Sequence, residues 1–172
     1  MGYDKSKIVI HGKDILQHHF DNLSSRFDEV IVSVGKGNTP PFSGYPKIVE
    51  DHAPGKGPLM GIYSAVQASR NDTNFVIAVD IPVIDFSVVK TLLDSARDYD
   101  IVVPSFREGQ CDTLFAVYRK TTLHAIDMQI QKDQLKIIDV FPFCRAHIVR
   151  ISDSSWYRNL NTPDDVVQFL KT

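Results

Sequence analysis

Two spacings of apolar positions alternate along the chain. Short runs rich in Val and Ile predict strands over Lys7–Ile10, Glu29–Val34, Lys47–Val49, Asn74–Val79, Ile101–Val103, Leu114–Arg119 and Ala146–Ile151. Between them, apolar side chains recur every three or four residues. Leu16, Phe20, Leu23 and Phe27 mark one helix, and others are predicted over Leu59–Ala68, Phe86–Ala96, Thr122–Gln131 and Pro163–Leu170. Strands alternating with helices are what a mostly parallel sheet covered on both faces requires, so the fold class is α/β. Phe75–Val79 is apolar at every position, which predicts a central strand buried on both faces. Thr162-Pro163-Asp164-Asp165 marks a helix start: Thr can cap, Pro suits the first position, and two carboxylates meet the positive end of the dipole.

At 172 residues, with no repeat, low-complexity tract or linker to divide it, the chain reads as a single domain over residues 1–172. The composition, 43% hydrophobic and 23% charged, excludes a disordered or fibrous protein. Nineteen basic against 21 acidic residues gives a net charge of -2, so no overall positive field draws the chain to nucleic acid or anionic lipid. A polyanionic ligand must be held locally. The polar start and the absence of a long apolar run predict a cytoplasmic protein, and Cys111 and Cys144 read as reduced.

Candidate chemistry is sparse. Gly12-Lys13, Gly35-Lys36 and Gly55-Lys56 lack the Walker spacing, and neither Gly35-Lys36-Gly37 nor Gly55-Lys56-Gly57 completes a dinucleotide fingerprint. The six histidines assemble no metal site at recognisable spacing, and no nucleophile elbow is present. Gly57-Pro58-Leu59-Met60-Gly61 runs a glycine turn into a helix start, where free backbone N–H groups can meet an anion or a base edge; a plain loop-to-helix turn explains it as well. Asp80 ends the apolar strand, and in open α/β sheets ligands bind at the carboxyl ends of strands. A carboxylate there can hold Mg²⁺ or, with Ile81-Pro82, simply shape a turn. Asp51 closes its strand in the same way. Asn159 and Asn161 precede the capped helix, and alternation puts both amides on one side if the backbone is extended.

Several pieces coincide in order: Met1-Gly2-Tyr3-Asp4-Lys5, Val49-Glu50-Asp51, Gly57–Gly61, Val79-Asp80-Ile81-Pro82, Leu114–Arg119 and Asn159-Leu160-Asn161-Thr162-Pro163. This set resembles the molybdenum cofactor guanylyltransferase (MobA) family. The resemblance runs from Met1 to the last helix. It implies a three-layer α/β/α nucleotidyltransferase-like fold, GTP and molybdopterin as substrates, Mg²⁺ as cofactor, and transfer of GMP with release of pyrophosphate. It also leaves room for protein partners in cofactor biosynthesis or cofactor uptake. Carried over by position, Lys5 looks like the phosphate-binding lysine, Asp51 like a GTP contact and Asp80 like the magnesium ligand; Gly57, Pro58 and Leu59 fall in the nucleotide pocket. Lys5 and Asp80 are then the catalytic pair, and Asn159 and Asn161 the acceptor or phosphate contacts.

This sequence departs from the family at three places. Ser33 stands where many members have asparagine, at a base contact, and Gln110-Cys111-Asp112-Thr113 stands where proline is common. Members also open with a strand and a glycine-rich loop, Leu-Ala-Gly-Gly followed by Ser and Arg, directly before the segment that here begins at Met1. The expectation is therefore a sheet without its inner first strand, with two unpaired edges in the core. The alternatives are a sibling nucleotidyltransferase using CTP or another nucleotide, and a non-catalytic nucleotide-binding module.

Overall fold

The computed structural model describes residues 8–10, 12–38, 47–107 and 109–171. A short hairpin pairs β1 (Val9–Ile10) with β2 (Lys13–Asp14) and leads into α1 (Ile15–Ser24). Then follow β3 (Ile31–Val34), β4 (Lys47–Glu50), α2 (Gly57–Ala68), β5 (Thr73–Ile77), α3 (Phe86–Ser95), β6 (Ile101–Ser105), β7 (Phe115–Arg119) and α4 (Leu123–Gln131). A 3₁₀ turn over Ile137–Phe143, β8 (Ala146–Arg150) and α5 (Pro163–Phe169) complete the chain. The α/β class is as expected.

Among the described residues the strands form separate sheets. β3 and β4 form a parallel pair of their own, while the main sheet runs β5-β7-β6-β8. In it β6 and β8 are parallel, and β7 is antiparallel to both neighbours, so the sheet is mixed. The central, doubly buried strands are β6 and β7. Ile101 and Val103 of β6, with Ala116 and Tyr118 of β7, pack against α2 and α4; Val102, Phe115 and Val117 pack against α3 on the other face. This is the period-2 alternation of strands covered on both sides.

β5 is an edge strand, half-buried at every position, contrary to the central place predicted from its apolar run. The reason lies beside it. A cavity of about 840 Å³ separates β5 from β3, floored by α1 and α2 through residues such as Leu16, Phe20, Ile62 and Val66. Among the described residues, the edges of β3 and β5 that no strand pairs both border this space.

The C-terminal helix starts as its sequence predicts. Thr162 Oγ1 accepts the Asp165 N–H at 3.2 Å, and the Asp165 carboxylate accepts the Thr162 N–H at 2.7 Å, closing a reciprocal capping box behind Pro163. α3 is capped by Asp85, which accepts from the Ser87 and Val88 amides.

Candidate active site

Three strand ends and one helix start meet at the carboxyl side of the sheets. Parallel pairing sets Ser33 beside Val49 and Val34 beside Glu50, so the next residue of β4's chain, Asp51, arrives at the end of β3. Its N–H donates to the Val34 carbonyl at 2.9 Å, and Ser33 Oγ donates to Asp51 Oδ1 at 3.0 Å. The chain then turns through Gly55 and Gly57, both at positive φ (74° and 65°), where a side chain would be strained. Pro58 opens α2, Leu59 anchors it with no exposed surface, and His52 N–H donates to Ser64 Oγ, holding the turn against the helix.

One turn into α2, Gly61 faces the pair: a Cβ there would sit 3.4 Å from Ser33 Oγ and 3.7 Å from Asp51 Oδ1. A side chain at position 61 would therefore stand in van der Waals contact with the Ser33–Asp51 pair and cover it. Ser33, Pro58 and Gly61 also rim the cavity, as do Val79 and Leu114 from the main sheet.

Across that rim lies Asp80, three residues beyond the end of β5 and 8% exposed. Its carbonyl accepts the Leu160 N–H at 2.8 Å, and Leu160 is itself buried, so the Asn159–Asn161 segment is stitched beside the strand end. Both asparagines are exposed. His19 of α1 stands behind, its Nε2 3.2 Å from the Val79 carbonyl and its Nδ1 buried without a partner. Burial, against the pull of the Val79 carbonyl, lowers its pKa to about 4, so the imidazole is neutral at physiological pH.

A carboxylate that the sequence reading passed over completes the group. β5 and β7 pair with Ile77 opposite Phe115, and the ladder continues as Ala78 N–H donates to the Leu114 carbonyl at 2.7 Å. That register brings Asp112 towards Asp80. Asp112 Oδ1 accepts the Leu114 N–H at 2.7 Å, and burial raises the carboxyl above the usual aspartate range, with the Asp80 charge adding to the rise. That the two lie near each other follows from the antiparallel pairing of β5 with β7, which the sequence alone does not show.

The structure therefore gathers Ser33, Asp51 and the Gly57–Gly61 turn on one side, and Asp80, Asp112 and Asn159–Asn161 on the other. Lys5 lies outside the described residues. No group of three or more His, Cys, Asp or Glu side chains is assembled among the described residues, so a metal here would draw its remaining ligands from substrate and water.

The MobA-like NTP transferase domain matches residues 1–140. The chain belongs to that family. It is 30% identical over 176 residues, 98% of this chain and 84% of the relative, to a protein of Pelotomaculum thermopropionicum named a probable molybdenum cofactor guanylyltransferase. It is 26% identical over 171 residues to the molybdenum cofactor guanylyltransferase of Vibrio cholerae, covering 98% of this chain and 83% of that one. Two solved structures share the fold. Molybdopterin-guanine dinucleotide biosynthesis protein A of Archaeoglobus fulgidus matches with a TM-score of 0.73 at 17% identity, over 99% of this chain and 90% of the other. The 2-C-methyl-D-erythritol 4-phosphate cytidylyltransferase of Thermus thermophilus matches with a TM-score of 0.77 at 15% identity, over 99% and 98%. MobA-like family membership makes the protein a nucleotidyltransferase. No helix among the described residues is long and apolar enough to cross a membrane.

Proposed function

We propose that this nucleotidyltransferase transfers GMP from GTP to molybdopterin, with Mg²⁺ as its cation and in the cytoplasm. The observation that carries the reading is the full-length likeness to relatives named for guanylyl transfer, joined to the gathering of Ser33, Asp51, Gly61 and Asp80 at the strand ends.

The reaction forms a bond from a molybdopterin phosphate oxygen to the α-phosphorus of GTP and breaks that phosphorus's bond to the bridging oxygen, which leaves with pyrophosphate. No side chain has to remove a proton, because a phosphate monoester is already largely ionised at neutral pH. Charge is the obstacle: two polyanions must be held in line, and catalysis is mostly positioning and electrostatic stabilisation. A divalent cation supplies neutralisation of the phosphates when bound. The donors on offer are hard carboxylate oxygens at a half-open strand end, and one or two carboxylates completed by phosphate oxygens and water is the usual magnesium set, so the residues fit the ion. Asp80 would hold it. Asp51, oriented by Ser33, and the turn before α2 would hold the nucleotide, Lys5 its phosphates, and Asn159 and Asn161 the acceptor side.

The second reading is a sibling nucleotidyltransferase using CTP or another nucleotide, which Ser33, standing where the resemblance puts asparagine at a base contact, leaves open. Calorimetry with GTP, CTP, ATP and UTP in the presence of Mg²⁺ separates the two: GTP binding tightest supports the guanylyl reading, and CTP binding tightest replaces it.

A further inference from the structure

We propose that the ends of β6 and β8 form a second holding point for the acceptor, where Arg107 and Arg150 grip its dithiolate while its phosphate reacts beside Asp80. The inference rests on the guanylyl-transfer reading and adds to it a subsite and two residues that no motif in the sequence singles out.

Strand direction places the subsite. β5 and β6 both pair antiparallel with β7, so they run the same way, and β8 is parallel to β6. Their carboxyl ends therefore share one side of the main sheet, the side on which open α/β sheets bind ligands. Ser105, the last residue of β6, stands beside Arg150, the last of β8, and the Ile151 N–H donates to the Ser105 carbonyl at 3.0 Å. A pocket of about 310 Å³ opens there, lined by Ser105, Phe106 and Arg107 from one strand end and by Arg150, Ile151 and Ser152 from the other.

This pocket lies on the far side of Asp80 from Ser33 and Asp51. β3 faces the unpaired edge of β5 across the large cavity, whereas β7 and then β6 follow on the paired edge. Two strand spacings, roughly 10 Å, separate β5 from β6. The segment after β8 bridges that distance: it leaves the pocket at Ser152 and returns to donate the Leu160 N–H to the Asp80 carbonyl at 2.8 Å. On the way Tyr157 stacks on Phe106 at 3.9 Å, and Trp156 stands edge-on to both rings at 5.6 Å. One aromatic cluster thus fixes the pocket wall and the start of the Asn159–Asn161 segment together.

Charge selects the ligand. Arg70, Arg97 and Arg145 pair with carboxylates, and Arg26 and Arg158 lie over aromatic rings. Among the described residues no carboxylate pairs with Arg107 or Arg150, although both line the same small pocket. Asp153, close to Arg150 in the chain, instead accepts the Ser155 N–H at 3.0 Å and the Ser155 hydroxyl at 2.8 Å. Two guanidinium forks on one pocket suit an anion, because charge-assisted bonds are the strong ones. Molybdopterin carries two anionic groups, its phosphate and the paired thiolates of its dithiolene. The phosphate is committed to the α-phosphorus of GTP, which leaves the dithiolate for the arginines.

The competing explanation is a solvated basic patch that holds no ligand. Trp156, the single tryptophan of the chain, packs against Phe106 and reports acceptor binding by fluorescence without turnover. The probes are molybdopterin and molybdopterin whose thiols have been alkylated with iodoacetamide, which removes the thiolate charges and keeps the phosphate. The double variant Arg107→Gln with Arg150→Gln is expected to bind molybdopterin at least about tenfold more weakly and to raise its KM by a similar factor. Mg-GTP affinity by calorimetry should be unchanged, and the melting temperature should stay within about 3 °C of wild type. Arg107→Lys with Arg150→Lys keeps the charge without the fork and should recover part of the loss. The alkylated acceptor should bind wild type and the Gln variant equally weakly. Equal molybdopterin affinity in wild type and the Gln variant overturns the proposal. So does a preference for wild type that persists with the alkylated acceptor, since the arginines would then hold another part of the molecule, and so does a matching loss of GTP affinity. The two levels of failure are separable: a wild-type protein that transfers no label from GTP to molybdopterin strikes the guanylyl reading, and an active wild type beside an unaffected Gln variant strikes only the subsite.

Discussion

Ser33 donates to Asp51 across the ends of two adjacent parallel strands, at 3.0 Å, directly in front of a helix position that has no side chain. The hydroxyl fixes one carboxylate oxygen and leaves the other for a ligand, and Gly61 leaves the approach open.

Gly61→Ala tests that arrangement. Alanine is favoured over glycine within a helix by roughly 1 kcal/mol, and the nearest atoms to its Cβ would be at 3.4 Å and 3.7 Å, so the variant should melt at or slightly above the wild-type temperature. Its methyl group occupies the space in front of Asp51, and GTP affinity should fall by about tenfold, or roughly 1.4 kcal/mol. Thermal melts and calorimetry on the same preparation check both halves.

Asp80→Asn is expected to lower Mg²⁺-dependent guanylyl transfer by about 100-fold or more, because a charged ligand to the cation is lost at the reacting phosphates. The fold should survive. Steady-state turnover near wild type, with a normal circular dichroism spectrum, would remove Asp80 from the cation site.

His19 makes stability depend on pH. Its folded pKa of about 4 lies below the ordinary 6.5, so between these values the unfolded chain binds a proton that the folded chain does not. The stability from keeping it neutral is fully present above about pH 6.5 and is lost as pH falls towards 4, to a total of about 3 kcal/mol. His19→Gln should flatten this part of the profile. Urea melts at half-unit steps from pH 4 to 7 measure it.

The cavity between β3 and β5 predicts a stabilising substitution. Ala65 of α2 borders it, and Ala65→Leu should fill part of the void, raising stability by about 1 kcal/mol and the melting temperature by about 3 °C. A drop in melting temperature would mean that the space is not open to a side chain.

Local signals in this sequence were legible where one residue's physics decides the outcome. Thr162-Pro163-Asp164-Asp165 reads as a helix start and forms a capping box, and the apolar spacing of Leu16, Phe20 and Leu23 places α1. Strand order was not legible in the same way. Phe75–Val79 is as apolar as a central strand, yet β5 lies at an edge because its free side faces a cavity rather than a neighbour. Hydrophobicity along a strand does not by itself fix its place in the sheet order. The antiparallel course of β7 was equally hidden, and with it the approach of Asp112 to Asp80, since only pairing register relates residues so far apart in the chain. Ser33, Asp51 and Gly61 were picked out as separate motifs and converge in space; that they touch one another is a fact of the fold.

The most direct test of the account is a transfer assay with purified protein, molybdopterin, Mg²⁺ and α-labelled GTP. It follows the label into a molybdopterin dinucleotide and measures pyrophosphate alongside it. The account predicts one pyrophosphate released per label transferred, dependent on both the acceptor and the cation, with GTP preferred over CTP. Absence of label transfer from GTP under conditions where the protein is folded, or a preference for CTP, would contradict it.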